Sequence, residues 1–194
     1  MLSKKFFKMK NIFISRKIAQ LIILQRIELS GLILKKIRKL FGRRFFTNVA
    51  SKYLILPRLI GKKYINLMNK EYESLSKFLD FKNKKILSIG SGLCGLELLI
   101  HQNNMSSEFS IIEKNYVSKK VVYGWDKNNF EGYNNLSLVK LFLEKNGMDS
   151  SKYKIYDYDN DKLPNDYHDY ILSLYSLDYH YSFDFYHSYL KSIS

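Results

Sequence analysis

The chain begins with apolar positions spaced for helices and continues with apolar runs spaced for strands. Ile18, Leu21, Ile22, Leu29, Leu32, Ile33, Ile37 and Leu40 recur every three or four residues, with Arg26, Lys35, Lys36, Arg38 and Lys39 among them. This spacing predicts a basic amphipathic helix, kinked near Gly31 because glycine weakens a helix interior. Beyond Pro57, Ile65, Leu67, Met68, Tyr72, Leu75 and Phe78 repeat the helical period as far as Asp80. The pattern then changes. Residues 86–89 form a short apolar run of the kind that makes a buried parallel strand. Leu93, Leu96, Leu99 and Ile100 return to helical spacing, and residues 109–112 make a second apolar run that closes on Glu113. A further helix is expected where Leu136, Val139, Phe142 and Leu143 share a face, capped by Asn135 and ended by Gly147. Residues 153–156 and 170–174 read as third and fourth strands, and Ser182 caps a last helix carrying Phe183, Tyr186, Leu190 and Ile193. Strands alternating with helices predict the α/β class.

Charge divides this pattern in two. Residues 1–70 hold eighteen Lys and Arg against Glu28 alone, a net +17, while residues 71–194 are net −3. The expected organisation is therefore a basic helical region over 1–80 followed by an α/β domain over 81–194. Three readings of the basic helix follow. It packs on the domain with a solvated basic face; or residues 1–45 adsorb to an anionic membrane surface; or they bind nucleic acid, the less expected partner. The apolar run 18–24 is far short of the roughly 20 residues that a membrane span requires. A single cysteine, Cys94, excludes an internal disulfide and points to a reducing compartment, so a cytoplasmic location, membrane-peripheral at most, is expected.

The candidate chemistry sits between the first two strands. Gly90-Ser91-Gly92-Leu93-Cys94-Gly95 gives G-x-G-x-x-G at a strand-to-helix junction. Glycines there let the backbone turn tightly and approach a ligand, and the free N–H groups of the following helix face it. Glu113 follows Gly95 by eighteen residues, where an acid can accept hydrogen bonds from both hydroxyls of a ribose. The stretch 114–133 reads as a long loop in which Trp125, the only tryptophan, either stacks on a ligand or anchors the loop to the core. His101, His168 and His187 are scattered without metal-ligand spacing. Cys94 reads as packing rather than as a nucleophile.

From about residue 84 onward the chain resembles the first half of a class I, Rossmann-like S-adenosylmethionine-dependent methyltransferase. ILSIGSGLCG is similar to that family's first glycine-rich motif, SIIEKN to its second strand, and DYDNDKLP with HDYILSLYSL to its third and fourth motifs. The resemblance implies a partial Rossmann-like methyltransferase sheet of strand order 3-2-1-4, preceded by the basic helical region. It implies S-adenosyl-L-methionine as cofactor, with Gly90, Gly92 and Gly95 at its methionine portion and Glu113 at its ribose. Asp159, or alternatively Asp157, would lie by the adenine amine, and the stretch from Ser173 to His180 would floor the cleft. For a hydroxyl acceptor His180 is the first candidate base and Asp178 the second, against the plainer reading that both are surface loop residues. The sequence departs from the family pattern at Ser88, where an acid usually closes the first strand, and at Cys94, which takes the place of the third glycine. No counterpart of the family's strands five to seven follows. A truncated member, or one completed by a partner or oligomer through the strand-four edge, is therefore expected.

The expected function is methyl transfer to a small molecule, a sugar or lipid-linked hydroxyl. Two alternatives stand beside it. One is an inactive or truncated Rossmann-like protein that binds a membrane surface or partner through its basic N-terminus. The other is an NAD-dependent oxidoreductase using the same glycine fingerprint, against which stands the lack of a Tyr-x-x-x-Lys pair after strand four.

Overall fold

A computed structural model describes residues 8, 9, 11–117, 133–174, 176, 184, 187 and 189–191. Ser15 opens helix α1 (Arg16–Gln25), its hydroxyl accepting the Ile18 N–H at 3.3 Å. Five residues of α1, Ile18, Ala19, Leu21, Ile22 and Ile23, are buried, so this helix is a core element. The single helix expected over 18–40 is interrupted. A short 3-10 turn (Ile27–Ser30) separates α1 from α2 (Gly31–Phe45), and Gly31 itself takes a left-handed φ of 74°. The kink expected at Gly31 is thus a full break. A second break falls at Gly42 (φ 78°), after which a π-helical turn (Phe46–Ala50) and α3 (Ser51–Tyr53) lead to α4 (Pro57–Leu75), with Pro57 in its first turn.

Four strands follow the expected order. They are β1 (Lys85–Ile89), β2 (Glu108–Glu113), β3 (Tyr153–Asp157) and β4 (Tyr170–Leu172), all parallel and arranged β3-β2-β1-β4. Helix α5 (Gly95–Asn103) connects β1 to β2, and α6 (Leu136–Lys145) precedes β3. Asn135 caps α6 by accepting the Leu138 N–H at 3.0 Å, and Gly147, at φ 86°, follows its end. The protein is α/β with a partial Rossmann-like sheet. Strand four stops at Leu172 rather than 174, and the last-helix residues Ser182, Phe183, Tyr186 and Ile193 lie outside the described residues, as do Trp125, Asp178 and His180.

Strand alternation sorts the side chains onto two faces. Ile86, Phe109, Ile111 and Leu172 join one apolar cluster with α1, α4, α5 and α6, while Leu87, Ile89, Ile112 and Tyr156 form a smaller one on the other face. Tyr158, Leu163, Tyr189 and Leu190 pack against the second cluster. The N-terminal helices thus differ from the sheet in charge but share its main core. Each such fully buried aliphatic side chain, Ile22 or Leu98 for example, contributes on the order of 2 kcal/mol.

No helix among the described residues is long and apolar enough to cross a membrane. Among those residues β3 and β4 are the sheet edges, with Ile171 on β4 37% exposed.

Candidate functional site

In a parallel sheet the ligand crevice opens at the strands' C-terminal ends, where the strand order reverses. Here that point lies between β1 and β4, and the glycine turn leaves β1 directly above it. Gly90 and Gly92 adopt left-handed φ values of 68° and 63°, which glycine takes without steric cost. Cys94 is also left-handed, at φ 62°, just before the first turn of α5. A residue with a side chain pays of order 1–3 kcal/mol for that conformation, so Cys94 holds a backbone shape that glycine would take freely.

Glu113 does reach this turn. Its Oε1 accepts the Gly92 N–H and its Oε2 accepts the Lys114 N–H at 3.1 Å. The parity of β2 explains this, because Glu113 points to the same sheet face as Ile111, which pairs with Ser88 of β1. The carboxyl is 8% exposed, and burial pushes its pKa up to about 7, although hydrogen bonds from Asn134, Gly92 and Lys114 pull the other way. Asn134 Nδ2 also donates to the Gly92 carbonyl at 3.0 Å, so both polar groups of Gly92 are engaged.

Each glycine expected at the cofactor is met by a side chain from elsewhere in the fold. A Cβ on Gly90 would overlap Ser176, one on Gly92 would stand 2.8 Å from Gln25 Oε1, and one on Gly95 would overlap the Tyr64 hydroxyl. Gln25 ends α1 and donates to the Tyr133 carbonyl at 2.8 Å and to Asn134 Oδ1 at 3.2 Å. Tyr64, on α4, is buried, and burial raises its phenol pKa, with Cys94 and Glu97 adding to the effect. The Arg26–Glu71 ion pair (3.0 Å) fixes the end of α1 on α4 beside them. Gln25, Tyr64 and Asn134 were not candidates on sequence, whereas Ser176 falls within the stretch from Ser173 to His180 expected at the floor of the cleft. Of the first three only Tyr64 carried a signal, since it lies four residues before Met68 and eight before Tyr72 on the inner face of α4.

The remaining candidates among the described residues, Ser173, Asp157 and Asp159, fall at the same C-terminal edge of the strands. Ser173 Oγ donates to the Ile89 carbonyl at 3.1 Å, Ser176 Oγ donates to the same carbonyl at 2.7 Å, and the two hydroxyls are 2.7 Å apart. They tie the chain after β4 to the last residue of β1. Asp157 stands in register with Glu113. Its carboxylate accepts the Asp159 N–H at 3.2 Å and the Asn160 amide at 2.8 Å. Asp159 is more open and lies 3.5 Å from Lys114 Nζ. Of the two acids Asp159 has the freer carboxylate and Asp157 braces the turn.

Ser88 has a partner that the sequence did not suggest. Its hydroxyl donates to Oε1 of Glu97, in the first turn of α5, while Glu97 Oε2 has no hydrogen-bond partner among the described residues. Glu97 is 3% exposed and burial raises its pKa. A carboxyl arriving from the helix thus stands beside the first strand at Ser88. The available signal was a lone acid within the apolar run 96–100, every residue of which is buried.

The edge thus gathers two carboxyls, Glu113 and Asp159, around a glycine turn that Gln25 and Tyr64 approach from the N-terminal helices. Compared with known proteins, the chain matches no family model and no curated protein.

Proposed function

We propose that this protein binds S-adenosyl-L-methionine over the Gly90–Gly95 turn and transfers its methyl group to a small molecule bearing a hydroxyl, of sugar or lipid-linked type. The observation that carries this reading is the convergence of the Glu113 carboxyl on Gly92 at the point of strand-order reversal. Such a carboxyl is placed to exchange its backbone partner for two ribose hydroxyls. The cofactor supplies the activated methyl group, which a sulfonium releases by in-line displacement. The chain's part is positional: Glu113 holds the ribose, the glycines admit the backbone close to the ligand, and Tyr64 and Gln25 limit its far end.

The filled cradles at Gly90, Gly92 and Gly95 favour a second reading, a non-catalytic Rossmann-like scaffold in which Ser176, Gln25 and Tyr64 occupy the ligand's place. Calorimetry with S-adenosylmethionine, S-adenosylhomocysteine and NAD separates the readings. Under the first, S-adenosylhomocysteine binds, and Glu113→Ala weakens it roughly tenfold or more, the effect of losing a charged hydrogen bond. Binding of NAD alone assigns an oxidoreductase instead, and no binding of any of the three supports the scaffold.

A further inference from the structure

We infer that helix α2 is a docking face for an anionic membrane surface. Residues 29–70 contain eleven Lys and Arg and no Asp or Glu. Within that stretch α1 and α2 behave oppositely. The apolar side chains of α1 are spent on the core, whereas α2 buries only Leu34 and leaves Leu32 at 79%, Ile33 at 76%, Leu40 at 78% and Phe41 at 63% exposed. Leu32, Lys36 and Leu40 form one row at intervals of four with Ile33 beside it, whereas Ile37 packs against the main core and exposed Phe41 stands just before the break at Gly42. The outer surface of α2 is therefore a strip of large apolar side chains, with exposed Lys35, Lys36 and Lys39 along it. Leu54, Leu56 and Leu59, further along the same acid-free stretch, are each more than half exposed.

Scattered exposed apolar side chains need no partner, but four on one helix, in a stretch of many cations and no acid, describe an interfacial helix, which buries its apolar side among acyl chains while its cations meet lipid phosphates. Nucleic acid would satisfy the lysines but leave the aliphatic side chains in water, since it offers phosphates and stacking surfaces rather than hydrocarbon. The face also has an anchorage. Lys63 of α4 donates to the Leu29 carbonyl at 3.1 Å, and the Arg26–Glu71 pair holds the preceding turn, so α2 projects from a fixed base. That base is the end of α1, whose Gln25 stands on Gly92. Docking through α2 would thus hold the glycine turn near the bilayer.

The test is flotation of the full chain with vesicles of phosphatidylcholine alone and of phosphatidylcholine mixed with phosphatidylserine. The expected result is binding to mixed vesicles only, weakening as salt is raised. Lys36→Gln with Lys39→Gln should lower partitioning roughly 25-fold, at about fivefold per cation. Leu32→Ser with Leu40→Ser should also lower it while leaving the far-ultraviolet circular dichroism unchanged, because both side chains are already in solvent. Four results would overturn the proposal. They are no binding to mixed vesicles, binding indifferent to the leucine pair, binding to duplex DNA that vesicles cannot displace, and self-association that the leucine pair abolishes without any lipid effect.

Discussion

Oε1 of Glu113 accepts the backbone N–H of Gly92, joining the end of the second strand to the glycine turn that leaves the first. The two residues are 21 positions apart, and their contact is what makes the turn and the acid one site.

Burial of that carboxyl makes stability depend on pH. Burial raises the Glu113 pKa from 4.5 to about 7, so the native state holds a proton that the unfolded chain gives up earlier. Stability from this group is full below about pH 4.5 and declines as pH rises to about 7, with a span on the order of 3 kcal/mol. Urea unfolding across that range should show the decline, and Glu113→Gln should flatten it. Glu97, also raised by burial, changes stability in the same direction, so a residual slope is expected in that variant.

Gly90→Ala should cost about 1–3 kcal/mol from two separable causes. The residue sits at φ 68°, and its new methyl group would overlap Ser176. Adding Ser176→Gly relieves the overlap but not the backbone strain. The double variant should therefore be more stable than the sum of the single changes implies, a coupling that denaturant unfolding of all four proteins measures.

Placing an acid at Ser88 of the first strand should harm this protein. Ser88→Asp would set a second carboxyl against buried Glu97, and two like charges there cannot both ionise cheaply. A loss of several kcal/mol, growing as pH rises, is expected in chemical denaturation. Ser88→Ala, which removes only the donor to Glu97, should cost about 1–3 kcal/mol. If Ser88→Asp were neutral, the pairing with Glu97 would not explain the serine.

Asn135→Ala should lower stability by about 1 kcal/mol, since it removes the acceptor of the Leu138 N–H at the start of α6. Asn135→Gly should cost less, and thermal unfolding monitored by circular dichroism distinguishes the two.

Sequence alone determined what depends on near neighbours. Strand and helix periods, the Asn135 cap and the Gly147 ending are local preferences, and they placed β1, α5, β2, α6 and β3 close to where they fold. The strand order came with the family resemblance, and the four strands adopt it. The composition also held the charge asymmetry of the two halves. It did not tell α1 from α2, because both repeat the same period and only packing decides which apolar face is covered. α1 finds α4 and the sheet core, whereas α2 keeps its outer strip in solvent after the chain breaks at Gly31. Likewise Gly90, Gly92, Gly95 and Glu113 could be read from spacing, but Gln25 reaches Tyr133 across 108 positions, and Tyr64 and Ser176 reach their glycines from other elements. Contacts of that separation leave no periodic trace in a chain. Tertiary packing alone brings them together, and it decided that the glycine turn is walled by the N-terminal helices and that the Ser88 hydroxyl answers to Glu97.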